Sequence, residues 1–333
     1  MSNSTAKFSE LRANATVELR KYAPQMILLA LVIYFSIISP NFMTSRNIVI
    51  IIRQVSFAAI SAVGIIFVMI AGGIDLSIGS QIVMTNIVMA IMLVDWNFPL
   101  ALAIPLTLLL GALLGAINGL LSVVLNVHPL IITLGTASIF KGMGYIFAQS
   151  RNIMGFPDAL RWFGQGYIGP VPVPIIIMII IALIGSFILT KTYFGRYVFA
   201  LGGNEEAARL AGVNINGMKV ILYAMCGFIS GITSILLLSR VFTGQTATGQ
   251  GLEFDALTAA LLGGVSFKGG EGTIFGLMTG ILIIGVLNNA MQLASFPDFS
   301  QSVVKGAVLL IAVGFDVYQK SAKAKETVRK VAV

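Results

Sequence analysis

The chain has 333 residues, of which 57% are hydrophobic and 10% charged, and its mean hydropathy is +0.95. An ordinary soluble domain carries roughly 25% charged residues and cannot hide this much apolar surface from water. The composition therefore excludes a soluble enzyme, a nucleic-acid-binding protein and a disordered chain. The net charge of +8 is compatible with this conclusion, because membrane proteins collect Lys and Arg in their cytoplasmic loops.

The first apolar stretch, residues 26–38, follows a charged N-terminal segment as a signal peptide does. No small-residue cleavage site comes after it, so we interpret the stretch as a retained first membrane span. The single cysteine, Cys226, and the single histidine, His128, exclude an intrachain disulfide and a Cys/His metal cluster. We expect no metal and no cofactor.

Ten apolar runs approach or exceed the length of about 20 residues that a helix needs to cross a membrane. They cover 24–39, 48–70, 78–94, 99–121, 129–148, 173–190, 217–239, 254–267, 273–293 and 302–318. Glycines and polar residues interrupt the ends of the third and eighth runs. The sequence predicts an all-α polytopic membrane protein with about ten transmembrane helices, some interrupted. The transmembrane body 24–318 lies between an N-terminal segment, 1–23, and a basic tail, 319–333.

Basic residues are divided unevenly between the two sides of this arrangement. The side that holds both termini carries fourteen Lys and Arg residues, and the opposite side carries six. The excess marks the cytoplasmic side, so we expect both termini in the cytoplasm. The remaining basic residue, Lys141, lies about 18 Å along the fifth span. It would pair with a carboxylate, line a wet cavity or extend its ammonium group to the interface.

Two predicted loops are long enough for a function of their own. The outer loop, 149–173, is rich in Gly, Pro and aromatic residues, and is either a functional loop or an interfacial aromatic belt. The inner loop, 191–218, contains Asn204 as a helix N-cap, two acidic residues in the next turn and Gly212 as a stop signal. It predicts a short capped helix of about two turns, which needs something to pack against.

Two glycine-containing segments resemble one another at an offset of 191 residues: AGGIDLSIGS, 71–80, and LGGVSFKGG, 262–270. Duplicated halves with interrupted helices are common in transporters, so an internal repeat is a hypothesis here. Asp75, in the first segment, is either a functional intramembrane carboxylate or an N-cap that accepts from the amide of Ser77 or Ile78.

Other polar residues have equally open interpretations. Asparagines within the spans either join helices or bind the hydroxyls of a polar solute; they are Asn86, Asn118, Asn126, Asn288 and Asn289. His128 is either structural or a proton relay. The chain contains no phosphate-binding loop of the Gly-x-x-x-x-Gly-Lys type, so we expect that it does not hydrolyse ATP itself. It also lacks hydrolase and metalloprotease motifs.

Several stretches resemble the permease subunits of bacterial ABC importers for monosaccharides, the group that includes the ribose, xylose and arabinose permeases. The likeness is greatest to the ribose permeases. The matching stretches are AGGIDLSIGS (71–80), PLIITLG (129–135), FALGGNEEAARLAGV (199–213), GLEFDALTAALLGGVSFKGGEGTIFG (251–276), GVLNN from 285 and VKG from 304. They extend from the second span to the last and are specific to the family rather than to one sugar.

The resemblance implies partners that composition does not reveal. Such permeases dimerise in the bacterial inner membrane, pair with a cytoplasmic ATPase that has two nucleotide-binding modules, and receive sugar from an extracytoplasmic binding protein. The segment 199–213 resembles the loop that docks into the ATPase. The residues implied in coupling are Asn204, Glu205, Glu206, Ala207, Ala208, Arg209 and Gly212.

The mechanism implied is alternating access, with ATP binding and hydrolysis driving sugar, a pentose by this resemblance, into the cytoplasm. We expect the path along which the sugar crosses the membrane to be bordered by Asp75, Ser77, Thr133, Asn288 and Asn289. Glu253 and Asp255 either face the binding protein or stabilise a helix N-terminus. Two other classes stay open: an ion-coupled secondary carrier for a small polar solute, and a membrane enzyme using His128.

Overall fold

The computed structural model describes residues 22–297 and 299–314, so most of the N-terminal segment 1–23 and the whole of the basic tail 319–333 lie outside the described residues. The long helices are α1 (Ala23–Ile38), α2 (Ser45–Ile70), α3 (Ile78–Val94), α4 (Leu100–Val124), α5 (Pro129–Ala148), α7 (Val173–Lys191), α10 (Ile215–Val241), α12 (Ile274–Leu293) and α13 (Phe299–Gly314). The shorter ones are α6 (Arg161–Gln165), α8 (Tyr193–Gly203), α9 (Glu205–Leu210) and α11 (Leu252–Leu262). A 3-10 turn, Asp158–Leu160, precedes α6, and an antiparallel hairpin of β1 (Tyr167–Ile168) and β2 (Val171–Pro172) follows it.

Each predicted span coincides with a helix, which confirms the all-α membrane fold; the last four residues of the tenth span, 315–318, lie outside the described residues. In the described part, α2, α4, α5, α7, α10 and α12 are long and apolar enough to cross a membrane, and α1, α3 and α13 are apolar but shorter. One boundary was wrong: the eighth span ends at Leu262 instead of 267. Gly264 takes φ +83°, and its amide and that of Val265 bond back to Leu261 and Ala260, which closes the helix.

Helix α2 forms the centre of the bundle. Between Val55 and Ile70 every residue except Ala58 is buried, and α7, α10, α11 and α12 pack around it. Glycines bring neighbouring helices into backbone contact. A Cβ atom added at Gly115 of α4 would lie 2.0 Å from the Tyr223 carbonyl oxygen of α10. These glycines therefore serve close helix packing.

The helix connections lie in two groups, one at each end of the bundle. At the first, which we call the α9 end, Gly72, His128, Glu205 and Lys219 line one small cavity of about 170 Å³. At the second, the α6 end, the outer loop contacts other connections. Arg151 forms an ion pair with Asp95, and Ile153 bridges to Gly244. A membrane-spanning chain must present these two ends to opposite sides of the bilayer.

Helices α3 and α11 both begin inside the bundle, as the predicted interruptions require. Residues 72–77 lead from the α9 end to Ile78, which lies roughly 24 Å along α3 from its far end. Residues 242–251 lead inward from the α6 end to Leu252. The two starts meet, because a Cβ atom added at Gly79 would lie 2.0 Å from Glu253 Oε2 and 3.0 Å from the Gly249 carbonyl.

The ends of α2 and α11 share a local geometry. Gly72 and Gly264 have φ of +84° and +83°, and both helices close with the same pair of backbone hydrogen bonds. Asp75 then accepts from the amide two residues later, and Ser266 Oγ accepts from Lys268 in the same way at 3.1 Å. The sequence likeness is thus a structural likeness at these two sites. Duplication of whole halves stays a hypothesis.

Candidate functional site

The inner loop folds as two consecutive short helices at the α9 end. Asn204 caps α9, its side chain accepting from the Ala207 amide at 3.0 Å, and Gly212 with φ +83° turns the chain away. These are the cap and stop that the sequence indicates. The preceding helix, α8, was missed. Its signal was Thr192, whose Oγ1 accepts from the Gly195 amide at 3.2 Å and caps the helix.

Ion pairs connect helix α9 to the bundle. Glu205 accepts from Lys219 Nζ of α10 at 2.9 and 3.0 Å. Arg209 lies 3.3 Å from both Glu205 and Glu206. Each partly exposed pair contributes only about 0.2–1 kcal/mol, but together they fix the direction in which α9 points. Sequence reasoning did not find Lys219, because it is 14 residues from its partner.

The outer surface of α9 mixes charged and apolar side chains. Leu210 is 82% exposed, and Glu206, Ala207 and Arg209 are exposed beside it. Ala208 is 4% exposed and packs into the protomer, so it holds α9 in place instead of facing outward. A projecting apolar side chain among charges is typical of a surface that another protein covers.

Behind α9, three backbone segments touch through glycines. The Gly270 amide donates to the Ile70 carbonyl at 2.8 Å. A Cβ atom at Gly202 would lie 1.7 Å from that same carbonyl, and one at Gly269 would lie 2.8 Å from the Gly72 Cα. We call the set Gly72, Gly202, Gly203, Gly269 and Gly270 the glycine junction. It joins the end of α8 to the end of α2 and to the loop after α11.

Asp75 is 1% exposed, and both of its carboxylate oxygens accept hydrogen bonds. Its Oδ1 accepts from the Ser77 amide at 2.9 Å and from Ser77 Oγ at 2.6 Å, and its Oδ2 accepts from Gln81 at 3.2 Å. Asn118 of α4 donates to Ser77 Oγ at 2.7 Å. The amide bond is the one expected of a cap. The carboxylate thereby anchors residues 72–77 to α3 and α4.

The other predicted path residues lie in two places. Thr133 is buried beside residues 72–77, where its Oγ1 accepts from the Leu76 amide at 3.3 Å. Asn289 forms a reciprocal amide pair with Asn47 of α2 at 2.8 and 2.9 Å. Asn288 lines a polar cavity of about 130 Å³ near the α6 end. The structure therefore groups Asp75, Ser77 and Thr133, and separates them from the two asparagines.

Two acidic residues begin α11. Asp255 pairs with Lys305 of α13 at 2.9 Å, and both side chains are largely shielded from solvent. Glu253 lies partly buried against Gly79. Contact of either carboxylate with a binding protein stays a prediction.

The structure gives the contacts of His128 and Lys141, whose roles the sequence left open. His128 caps α5 through Nδ1, which accepts from the Leu130 amide at 3.3 Å, a structural use. Lys141 donates to Gln250 Oε1 at 3.4 Å, and no carboxylate within salt-bridge distance of it occurs among the described residues.

Comparison with known proteins gives consistent matches. A family described as branched-chain amino acid transport system / permease component matches residues 47–313. The chain is 40% identical to the ribose import permease protein RbsC of Haemophilus influenzae, over 96% of this chain and 98% of that protein. It is 40% identical to RbsC of Bacillus subtilis, over 90% and 93%. It is 38% identical to the L-arabinose transport system permease protein AraH of Escherichia coli, over 91% and 92%. No solved structure matches significantly.

Proposed function

Because this chain belongs to the permease family whose model it matches, we propose that it is the membrane subunit of an ATP-driven sugar importer. Its cargo is a monosaccharide, ribose or another pentose. The family's description mentions branched-chain amino acids, but the relatives that match over nearly the whole chain carry the names of ribose and arabinose permeases. Whole-length similarity is the stronger guide to cargo, so we follow those names.

The observation that carries this proposal is α9. It is a short helix, capped on its own, exposed on one face and joined through the glycine junction to the ends of α2 and α8. Such a helix can serve as the site to which a separate cytoplasmic ATPase with two nucleotide-binding modules binds. The docking residues are Asn204, Glu205, Glu206, Ala207, Arg209 and Gly212. Ala208, expected from the resemblance to belong to the same set, instead packs on the buried side of α9 and supports it from within the protomer.

Movement of the ATPase would reach the membrane through direct backbone contacts. The glycine junction has no side chains between its segments, so displacement of α8 and α9 must also displace Ile70 and the loop at Gly270. Residues 72–77 follow Ile70 and are held by Asp75, Ser77 and Thr133. We therefore keep these three residues, with Asn288 and Asn289, as candidates for the border of an alternating-access path.

The partners and location follow from the same proposal. A second copy of the chain completes the path, lipid surrounds the pair, and an extracytoplasmic binding protein delivers sugar at the α6 end. Glu253 and Asp255 stay candidate contacts of that protein, although both lie at the start of α11, inside the bundle. The protein lies in a bacterial inner membrane with both termini in the cytoplasm. The excess of Lys and Arg on the α9 side supports this orientation.

The test is uptake of labelled ribose, xylose and arabinose into liposomes that contain the permease, its ATPase and its binding protein. We expect uptake only with all three components and ATP. The variant Glu205→Ala with Arg209→Ala should lose uptake and ATPase association together. Arg161→Ala, which breaks an exposed pair at the α6 end, is the matched control. Concentration of sugar by the permease alone, driven by an ion gradient, would overturn the proposal and favour a secondary carrier.

A further inference from the structure

The connection 242–251, which we call the re-entrant loop, carries irregular backbone deep into the bundle. It begins at the α6 end, where Gly244 bridges to Ile153. It finishes with Gly249 and Glu253 against Gly79, at the start of α3 and roughly 24 Å along that helix from its far end. Gly249 and Gly251 have φ of +89° and +87°, which permits the tight approach to α3.

Polar side chains at this depth are exposed on the surface of the protomer. Gln250 is exposed, and Lys141 of α5 donates to its Oε1 at 3.4 Å. Tyr145, one turn further along α5, is 43% exposed and lies beside Thr246 and Gln250. Lys141 is seven residues before the end of α5, so this group lies about 10 Å or more below the α6 end.

Lipid cannot cover such a surface. Irregular backbone within the hydrocarbon core occurs only where protein buries it or where it lines a water-filled cavity. The same holds for a charged side chain such as Lys141. Because Gln250 and its neighbours are exposed in the single chain, the assembled protein must place water, a polar solute or a second protein surface against them.

We propose that the re-entrant loop and the facing side of α5 form the solute-contacting wall of the path, and that Gln250, Lys141, Tyr145 and Thr246 hydrogen-bond the hydroxyls of a neutral sugar. The group offers both donors and acceptors, as a polyhydroxylated solute requires. This proposal rests on the proposed function and names the groups that meet its cargo.

Chemical labelling tests whether water reaches this wall, and it does not require transport. Gln250→Cys should react with a membrane-impermeant methanethiosulfonate reagent in the reconstituted complex. Ribose, xylose and arabinose should slow that reaction. Leu183→Cys, at a 65% exposed site on the apolar helix α7 where we expect lipid, should stay unreactive. The unsubstituted chain, whose only cysteine is buried, gives the background. An unreactive Gln250→Cys would overturn the proposal.

Uptake then tests recognition of the sugar. Gln250→Ala should lower the initial uptake rate at limiting sugar about tenfold, as loss of hydrogen bonds worth about 1.4 kcal/mol would. Stimulation of ATP hydrolysis by the binding protein should be unchanged. Asn152→Ala, an exposed polar residue at the α6 end, should have no effect. Normal uptake by Gln250→Ala, or equal loss of stimulated hydrolysis, would refute a solute contact.

The two proposals fail in different ways. If Gln250→Cys is water-accessible and sugar-protected while uptake proceeds without any ATPase, the path wall stands and the importer proposal fails. If uptake requires the ATPase but Gln250→Cys is unreactive, the importer proposal stands and the path lies elsewhere.

Discussion

The segments 72–77 and 242–251 both carry irregular backbone to a helix that starts inside the bundle, but they treat their polar groups in opposite ways. In the first, both carboxylate oxygens of Asp75 accept hydrogen bonds from the same chain, and the residue is 1% exposed. In the second, Gln250 is exposed, and Thr248 Oγ1 is buried with no hydrogen-bond partner in the described residues.

This contrast separates structural from functional polarity in a membrane protein. An intramembrane carboxylate is a functional candidate by default. Asp75 shows that such a group can also act as an anchor, since its bonds hold residues 72–77 against α3 and α4. Polar groups at the same depth whose hydrogen bonding is incomplete require hydrogen-bond partners that the single chain does not provide. Whether the hydrogen bonding of an intramembrane group is complete therefore tells us more about its role than whether the group is charged.

The largest effect is expected from breaking the anchored segment. Asp75→Leu leaves the amide and the hydroxyl of Ser77 buried without their acceptor, at about 1–3 kcal/mol for each group, and removes one of the two acceptors of Gln81 Nε2. We expect a large fall in the thermal midpoint of the purified permease and poor accumulation in membranes. Asp158→Leu, at a 93% exposed carboxylate, is the control. A stable Asp75→Leu protein that fails only in transport would instead show that this carboxylate acts in the path.

An intermediate effect is expected at the glycine junction. Gly202→Ala places a Cβ atom 1.7 Å from the Ile70 carbonyl, so α8 must shift, at about 1–3 kcal/mol. We expect uptake to fall about tenfold or more, with ATP hydrolysis no longer coupled to transport. The neighbouring Gly203→Ala is a matched control, because its Cβ atom meets nothing within 4 Å. Equal behaviour of the two variants would contradict transmission through this contact.

The smallest effect is expected from the link between α9 and α10. Lys219→Met removes the cation that holds Glu205 and should weaken ATPase binding only a few-fold, because partly exposed pairs contribute about 0.2–1 kcal/mol. A double-mutant cycle with Glu205→Gln measures the coupling between the two residues. Additive effects on ATPase affinity would mean that this pair does not position α9.

Local sequence determined the helices and their caps. Apolar runs of membrane length located the spans, and Asn204 with Gly212 located α9, because capping bonds join residues two to four positions apart. The same local rule explains the two errors. The run of the eighth span continued past the glycines that end α11 at Leu262, and the cap at Thr192 that begins α8 passed unnoticed.

Only the tertiary structure decided which polar groups meet. Asn47 pairs with Asn289 across 242 residues, and Lys141 reaches Gln250 across 109. No periodicity in the sequence encodes such distances, since they depend on how the helices pack in three dimensions. For the same reason, only the packed bundle shows that Asp75 is enclosed and that the re-entrant loop is open. Hydropathy establishes that a segment enters the membrane, and packing decides whether it meets lipid, protein or water.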